Sequence, residues 1–381
     1  MFVNFVQIKI PNHWLNEMKI KEITAYLEEL APLSYQESYD NAGLIVGNPN
    51  DEVKGILVTL DSTEDVIEEA IQKGCNVIIA HHPIVFKGLK KITGKNYVER
   101  TIIKAIKNDV AIYATHTNLD NVTNGVSFKI AEVLGLEEVK ILSPKKELLK
   151  KLIVFVPLNN TQAVLDALHK AGAGTVGNYS HVSFRGEGTG SFRPNEKAKP
   201  AIGEANKQEE VKENRVEVIF PAYLENQIVA AMIRAHEYEE VAYDIFSLDS
   251  PNKEVGSGAI GVLPVAISEI DFLNHLKQKM KTSVIRYTRL FGKPIKKVAV
   301  CGGAGSFLLN DAIKAGADIF VTADYKYHEF FDAENHLIIA DIGHYESEQY
   351  TKELLKDYIC KKFTNFAVHL SETPTNPVNY Y

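Results

Sequence analysis

The sequence is short of cysteine, of basic clusters and of long apolar runs, and each shortage excludes something. Its three cysteines, Cys75, Cys301 and Cys360, are odd in number and far apart. They offer neither a disulfide framework nor a Cys-x-x-Cys metal site, and a reducing, cytoplasmic compartment is expected. No apolar stretch approaches the ~18 residues of a membrane span, so no membrane association is expected. The opening MFVNFVQIKIPNHW has no basic region ahead of an apolar one and no small-residue cleavage site, so it does not read as a signal peptide. Residues 1–17 read instead as an extension upstream of a domain that starts at Met18. With 42 basic against 49 acidic residues the formal charge is −7, and the Lys pairs at 145 and 361 stand beside acidic or apolar neighbours. This argues against nucleic acid as a partner, because binding a phosphate backbone takes clustered Lys and Arg.

What is present is a chain of 381 residues, 45% hydrophobic, long enough for two or three domains at ~150 residues each and apolar enough to build their cores. Six short apolar runs dominate: GILVTLD (55–61), NVIIAHHP (76–83), VAIYATHTNLD (110–120), KKVAVCGGAGS (296–306), DIFVTADYKYHE (318–329) and HLIIADIGHYESE (336–348). Val- and Ile-rich runs without alternation are the pattern of strands buried on both faces. The segments TEDVIEEAIQKG (63–74) and SFLLNDAIKAG (306–316), opened by Thr or Ser and closed by Gly, predict covering helices. The class is α/β with mainly parallel buried strands. Between the two groups, residues 146–264 read as strand, helix and strand twice over, a ferredoxin-like α+β module inserted into a discontinuous domain of residues 18–145 and 265–381. Within it, Arg193 to Glu217 holds six acids and six bases among Pro, Gly and Asn, and reads as a solvated excursion between strands.

In open α/β sheets, ligands bind where strands end and side chains are left unburied. Here those ends carry Asp61, His81 and His82, His116 and Asp120, Asp324 and His328, and Asp341, His344 and Glu348. Each group has an ordinary explanation: a satisfied histidine, an Asx cap at Asp120, a solvated helix start at His344 and Glu348. Their coincidence at one edge is what points to chemistry. Past a strand end, consecutive His81 and His82 can splay into one cavity, and His344 and Glu348 at i and i+4 share a helix face. Imidazoles and carboxylates together suit a pair of divalent transition metals about 3.5–4 Å apart, whose chemistry is hydrolysis. The turn CGGAGS could hold a phosphate or simply be tight; the third glycine of a dinucleotide fingerprint would fall on Leu308. Asp40 to Leu44 is a polar turn that faces the crevice or starts a strand, Asp324 and His328 are candidate supports for the ligands, and no GxSxG occurs.

Four motifs in order, DNAGLIVG (40–47), AHHPIVFKGL (80–89), ATHTNLD (114–120) and DIGHYESE (341–348), resemble the signatures of the GTP cyclohydrolase type-two homologues, also called the Nif-three-like dinuclear-metal family. The resemblance spans 18 to about 145 and 265 to about 372. It implies metal ligands His81, His82, Asp120, His344 and Glu348, with Glu348 bridging two divalent ions and acting with His116 as the catalytic pair. Zinc is the foremost candidate, with iron, manganese or nickel as alternatives. It implies a metal-dependent hydrolase acting on a small-molecule substrate such as the nucleotide GTP, and a toroidal homohexamer, a trimer of dimers. The inserted segment resembles the PII- and CutA-like module of longer bacterial members, whose loop GTGSFRPNEKAKPAIGE (188–204) matches. The alternative is a non-enzymatic metal-loaded scaffold or sensor whose inserted module binds an effector or partner.

Overall fold

A computed structural model describes residues 18–364 and 367–381; the extension read at 1–17 lies outside the described residues. The chain forms two compact units, one running to Val139 and resuming at Gly258, the other Lys140–Ser257. The first pass through the outer unit makes α1 (Ile20–Leu30), β1 (Gly43–Val46), β2 (Ile56–Thr59), α2 (Glu64–Gln72), β3 (Val77–Ala80), α3 (Tyr97–Lys107), β4 (Ala111–Ala114), α4 (Thr117–Asp120), α5 (Val126–Leu134) and β5 (Glu137–Pro144). The inserted unit contains β6 (Leu149–Pro157), α6 (Thr161–Lys170), β7 (Phe184–Phe192), β8 (Glu209–Pro221), α7 (Glu225–Ala235) and β9 (Tyr243–Leu248). The return makes β10 (Gly256–Ile267), α8 (Glu269–Lys279), β11 (Arg286–Tyr287), β12 (Ile295–Ala304), α9 (Leu309–Lys314), β13 (Ile319–Ala323), β14 (Ile338–Asp341), α10 (His344–Glu348), α11 (Thr351–Lys362) and β15 (Val368–Leu370). No helix among the described residues is long and apolar enough to cross a membrane.

All six apolar runs form strands, and they divide equally between two sheets. In the order β1-β4-β3-β2-β15, the first sheet pairs β2, β3 and β4 in parallel, with β15 parallel at one edge and β1 antiparallel at the other. In the second sheet, β11-β14-β13-β12-β10-β5, strands β12, β13 and β14 are parallel, while β10 runs antiparallel to β12 and β11 antiparallel to β14. Strands β2, β3, β4 and β14 are buried at every position, as expected for strands covered on both faces. On the first sheet Leu57, Ile78 and Ile112 pack against Val66, Ile67 and Ile102 of α2 and α3. Thr63 caps α2 by accepting from Val66 N at 3.3 Å, and Gly74 closes it at φ +69°. The helix expected from Ser306 differs: a 3-10 turn, Ser306–Leu308, precedes a six-residue α9, and no side chain caps either. There Gly305 lies so close to β13 that a Cβ would sit 2.4 Å from Thr322 Oγ1.

In the inserted unit the sheet order is β7-β8-β6-β9 with every pair antiparallel. Helices α6 and α7 cover one face, where Leu152, Val154, Val156, Val216, Val218 and Phe220 meet Val164, Leu168, Ile228 and Met232. The solvated excursion expected over 193–217 is corrected at its end: β8 begins at Glu209, and β7 pairs with it from Phe184↔Glu217 to Phe192↔Glu209. Strand β7 holds three glycines, which lower intrinsic strand preference, and ladder pairing with β8 overrides that preference.

Candidate metal centre

The outer unit brings the ends of its two sheets together. Strand β3 delivers His81 and His82, β4 delivers His116 and the short α4 ending in Asp120, and β14 leads through Gly343, at φ +93°, into α10 with His344 and Glu348 at its ends. The single edge inferred from the sequence is thus two edges, one from each sheet.

Glu348 lies at the middle, its side chain only 3% exposed. His82 Nε2 and His344 Nε2 stand 3.0 and 3.1 Å from its Oε2, and His81 Nε2 stands 3.7 Å from its Oε1. Asp120 Oδ1 is 3.7 Å from His81 Nε2, and the Nε2 atoms of His82 and His344 are 3.4 Å apart. Potential ligand atoms of His81, His82 and Glu348 all fall within 4.8 Å of one another, so these three residues could hold a metal ion.

The opposite nitrogen of each imidazole is already engaged. His81 Nδ1 donates to the Thr115 carbonyl at 2.8 Å, which fixes the proton there and leaves Nε2 with its lone pair inward when the ring is neutral. His82 Nδ1 meets Asp61 Oδ1 at 2.7 Å and His344 Nδ1 meets Asp324 Oδ2 at 2.6 Å. His116 Nδ1 meets Asp40 Oδ1 at 2.7 Å, and Asp40 also accepts from the Thr117 amide at 3.0 Å and from its hydroxyl. Carboxylate- or carbonyl-held histidines of this kind present a basic nitrogen in a fixed direction.

Two enclosed polar atoms, His81 Nε2 and Asp120 Oδ1, make no hydrogen bond, and Glu348 Oε2 has only the Nε2 atoms of His82 and His344 beside it. Lone pairs and carboxylates turned on one another repel unless a cation lies among them, so the donor set fits a divalent metal. The electrostatics agree. Burial opposes charge on Glu348, yet the imidazoles of His344, His81 and His82 hold its carboxyl well below the usual range. Burial, then the Glu348 charge, pushes Asp120 up to about 7. Burial depresses His82 and His344, but hydrogen bonds to Asp61 or Asp324 and to Glu348 outweigh it and raise them to about 9 and about 11. Protons on these rings do, without metal, what cations would do with it.

Other residues build the frame. Gly303, at φ +60°, is where a Cβ would fall 2.5 Å from Glu348 Oε1 and 3.2 Å from His344 Cε1, so the CGGAGS turn is tight because the central carboxylate rests on it. The segment after β15 is tied to α2 through Glu69, which accepts from Ser371 Oγ at 2.6 Å and Thr373 Oγ1 at 2.7 Å; Thr375 Oγ1 then reaches Asp61 Oδ2 at 2.7 Å. Two candidates stand apart from the cluster. Asp341 accepts from the Tyr325 and Gly343 amides at 2.9 and 3.1 Å and pairs with Arg286, and the exposed His328 contacts the rings of Tyr327 and Phe331. The Asp40 turn does both things open to it, starting β1 and holding His116. Thr115, Gly303 and Thr375 were not singled out from the sequence; the glycine pair in CGGAGS was the one available signal among them.

A family model described as Duf34/NIF3 (NGG1p interacting factor 3) matches residues 18–377. Among curated relatives, a Bacillus subtilis (strain 168) protein named GTP cyclohydrolase 1 type 2 homolog is 39% identical over 370 residues, covering 94% of this chain and 98% of that one. A Staphylococcus epidermidis protein of the same name is 35% identical over 367 residues, 95% of this chain and all of its own. Among solved structures, a Bacillus cereus protein related to NIF3 shares 40% identity at a TM-score of 0.84, and a Staphylococcus aureus protein shares 30% at 0.78, each covering 96% of this chain and 100% of that one. With a family match over residues 18–377 and the His81–His82–Glu348 cluster within it, the chain belongs to the Duf34/NIF3 family.

Proposed function

We propose that the protein is a dinuclear divalent-metal hydrolase whose substrate is a small molecule, with GTP, the nucleotide in its relatives' names, as the first to try. The convergence of three inward-facing imidazole nitrogens on the buried carboxylate of Glu348 carries this reading. His81, His82, Asp120, His344 and Glu348 would hold two ions, with Glu348 between them. Such ions lower the pKa of a bound water and neutralise charge that builds on a substrate in hydrolysis. Around them, Asp61, Asp324 and the Thr115 carbonyl keep the rings in orientation, and Asp40 fixes the proton of His116 on Nδ1 so that Nε2 is the atom that takes or gives a proton. The ring of His116 stands 5.4 Å from that of His81 and 5.5 Å from that of His82, close enough to serve the same substrate. Zinc is the first metal to test, with iron, manganese and nickel the others that mixed imidazole and carboxylate sites accept. A homohexamer, a cytoplasmic location and a separate role for residues 146–264 complete the reading, on the family resemblance.

Elemental analysis of purified protein, paired with a product-monitored screen of GTP and related nucleotides, tests it. About two divalent ions per chain and turnover are expected, both lost in Glu348→Gln. A metal-replete protein that turns over nothing would favour the scaffold or sensor reading, which a cavity of about 760 Å³ in the inserted unit supports independently.

A further inference from the structure

The cavity of the inserted unit is built on a bare strip of β-sheet. Residues Phe184, Gly186, Gly188, Gly190 and Phe192 alternate along β7 and so lie on one face, three positions without side chains bracketed by two aromatic rings. Gly186 pairs with Arg215, and Gly188 with Glu213, so these two side chains of β8 rise beside the strip. Phe155 of β6, the cross-strand partner of Arg215, shares that face, which lies opposite the one covered by α6 and α7. From the following loop Arg193, Pro194, Ala198 and Pro200–Ile202 line the same cavity, and the loop is pinned where Asn206 N donates to the Pro194 carbonyl at 2.7 Å and Lys199 N to Glu239 Oε1 at 2.6 Å. Glycines inside a strand mark places where something approaches the backbone closely. From Gly186 to Gly188 the open strip is about 7 Å long, the width of a flat ring.

The charges select what lies there. Glu213 is 8% exposed, and its one hydrogen-bond partner among the described residues is the Tyr238 hydroxyl, at 3.0 Å. Gly190 lets it lie down on the strip, since a Cβ there would meet Glu213 Oε2 at 2.1 Å. No Lys or Arg among the described residues pairs with it. Arg215 is turned to Glu217 at 3.0 Å, and Arg193 Nε donates to the Asn206 carbonyl at 2.9 Å. Glu239 and Glu240 add negative charge to the lining. A buried carboxylate with one neutral donor favours a ligand that brings further N–H donors and a positive charge, and aromatic walls favour a cation with a π-face.

We propose that this slot binds a planar heteroaromatic ligand that lies on the Gly186–Gly188 strip and presents a cationic amino or amidine edge to Glu213, which lies over Gly190. The metal centre takes no part, so the proposal stands or falls separately from the hydrolase reading.

Fluorescence titration of the full-length, metal-stripped chain with proflavine, and calorimetry with 2-aminobenzimidazole, test it, with naphthalene-2-sulfonate as the flat anion of opposite charge. Saturable binding of both cations and none of the anion is expected. Glu213→Gln should weaken binding at least tenfold. Gly188→Val should abolish it; an added Cβ at Gly188 meets nothing within 4 Å, so that variant fills the slot without straining the strand. Absence of saturable binding, equal binding of the anion, or binding that survives Gly188→Val would overturn the proposal. So would a Gly188→Val variant that changes the oligomeric state while wild type binds no ligand, because the slot would then be a contact between copies.

Discussion

Each of the two units buries a carboxylate in a sheet-built site, and the two are finished differently. Glu348 faces three imidazoles, each locked from behind by a carboxylate or carbonyl, so every group around it has one possible orientation. Glu213 has a phenol, bare glycine backbone and aromatic walls. The first arrangement is fixed in advance and offers lone pairs at separations suited to small ions. The second is roomy and offers one charge on a flat surface. Preorganisation of the donors separates a site suited to metal from one suited to an organic ligand.

The most damaging way to break the first site without touching the second is Gly303→Val. The new side chain must occupy a left-handed conformation and displace Glu348 Oε1. Metal content should fall to background and stability by about 2–4 kcal/mol, read by elemental analysis and thermal unfolding, with the proflavine titration unaltered. Retained metal would disprove the role given to that turn. Next, Asp61→Asn leaves the His82 ring without its carboxylate, and metal affinity should drop about 10–100-fold, measured by competition with a chelator.

The same variant sharpens a pH comparison. In metal-stripped protein His82 is raised above its ordinary value to about 9, so its contribution to stability is complete below about pH 6.5 and is lost as pH rises through about 9. Thermal midpoints of the stripped wild type should decline across that window, and Asp61→Asn should flatten the decline; parallel curves for the two proteins would contradict the assignment. The smallest effect is expected from Thr375→Val, which removes one hydrogen bond to Asp61. About 1 kcal/mol, or roughly fivefold in metal affinity, is the scale for one such bond.

Much of this was legible in the sequence, for definite reasons. Strands such as β2, β3 and β14 are covered on both faces, so they appear as unbroken Val and Ile runs, and residues at their exits are freed from packing. His81, His82, Asp120, His344 and Glu348 could be gathered as candidates because each follows such a run or sits one helical turn from one that does. Strands β11 and β15 were not legible, being two and three residues long; β1 was visible only as one of two options for the Asp40 turn, and β7 was hidden by glycines that argue against a strand until β8 is beside it. Asp341 ends a strand as Asp61 does, but nothing local distinguishes a carboxylate that turns to backbone amides and Arg286 from one that turns to His82.

The sequence by itself determined the element types, the α/β class and the residues able to ligate a cation, because those follow from periodicity and side-chain chemistry within short windows. Tertiary structure alone decided that the six runs form two sheets, that their ends meet around Glu348, that each imidazole is locked at Nδ1, and that Gly303 and Thr375 belong to the frame. Those contacts join residues up to some 300 positions apart, as between Asp61 and Thr375, and no local pattern records them. The glycine strip of β7 lies between the two cases: its alternation is written in the sequence, but only pairing with β8 sets Glu213 beside it.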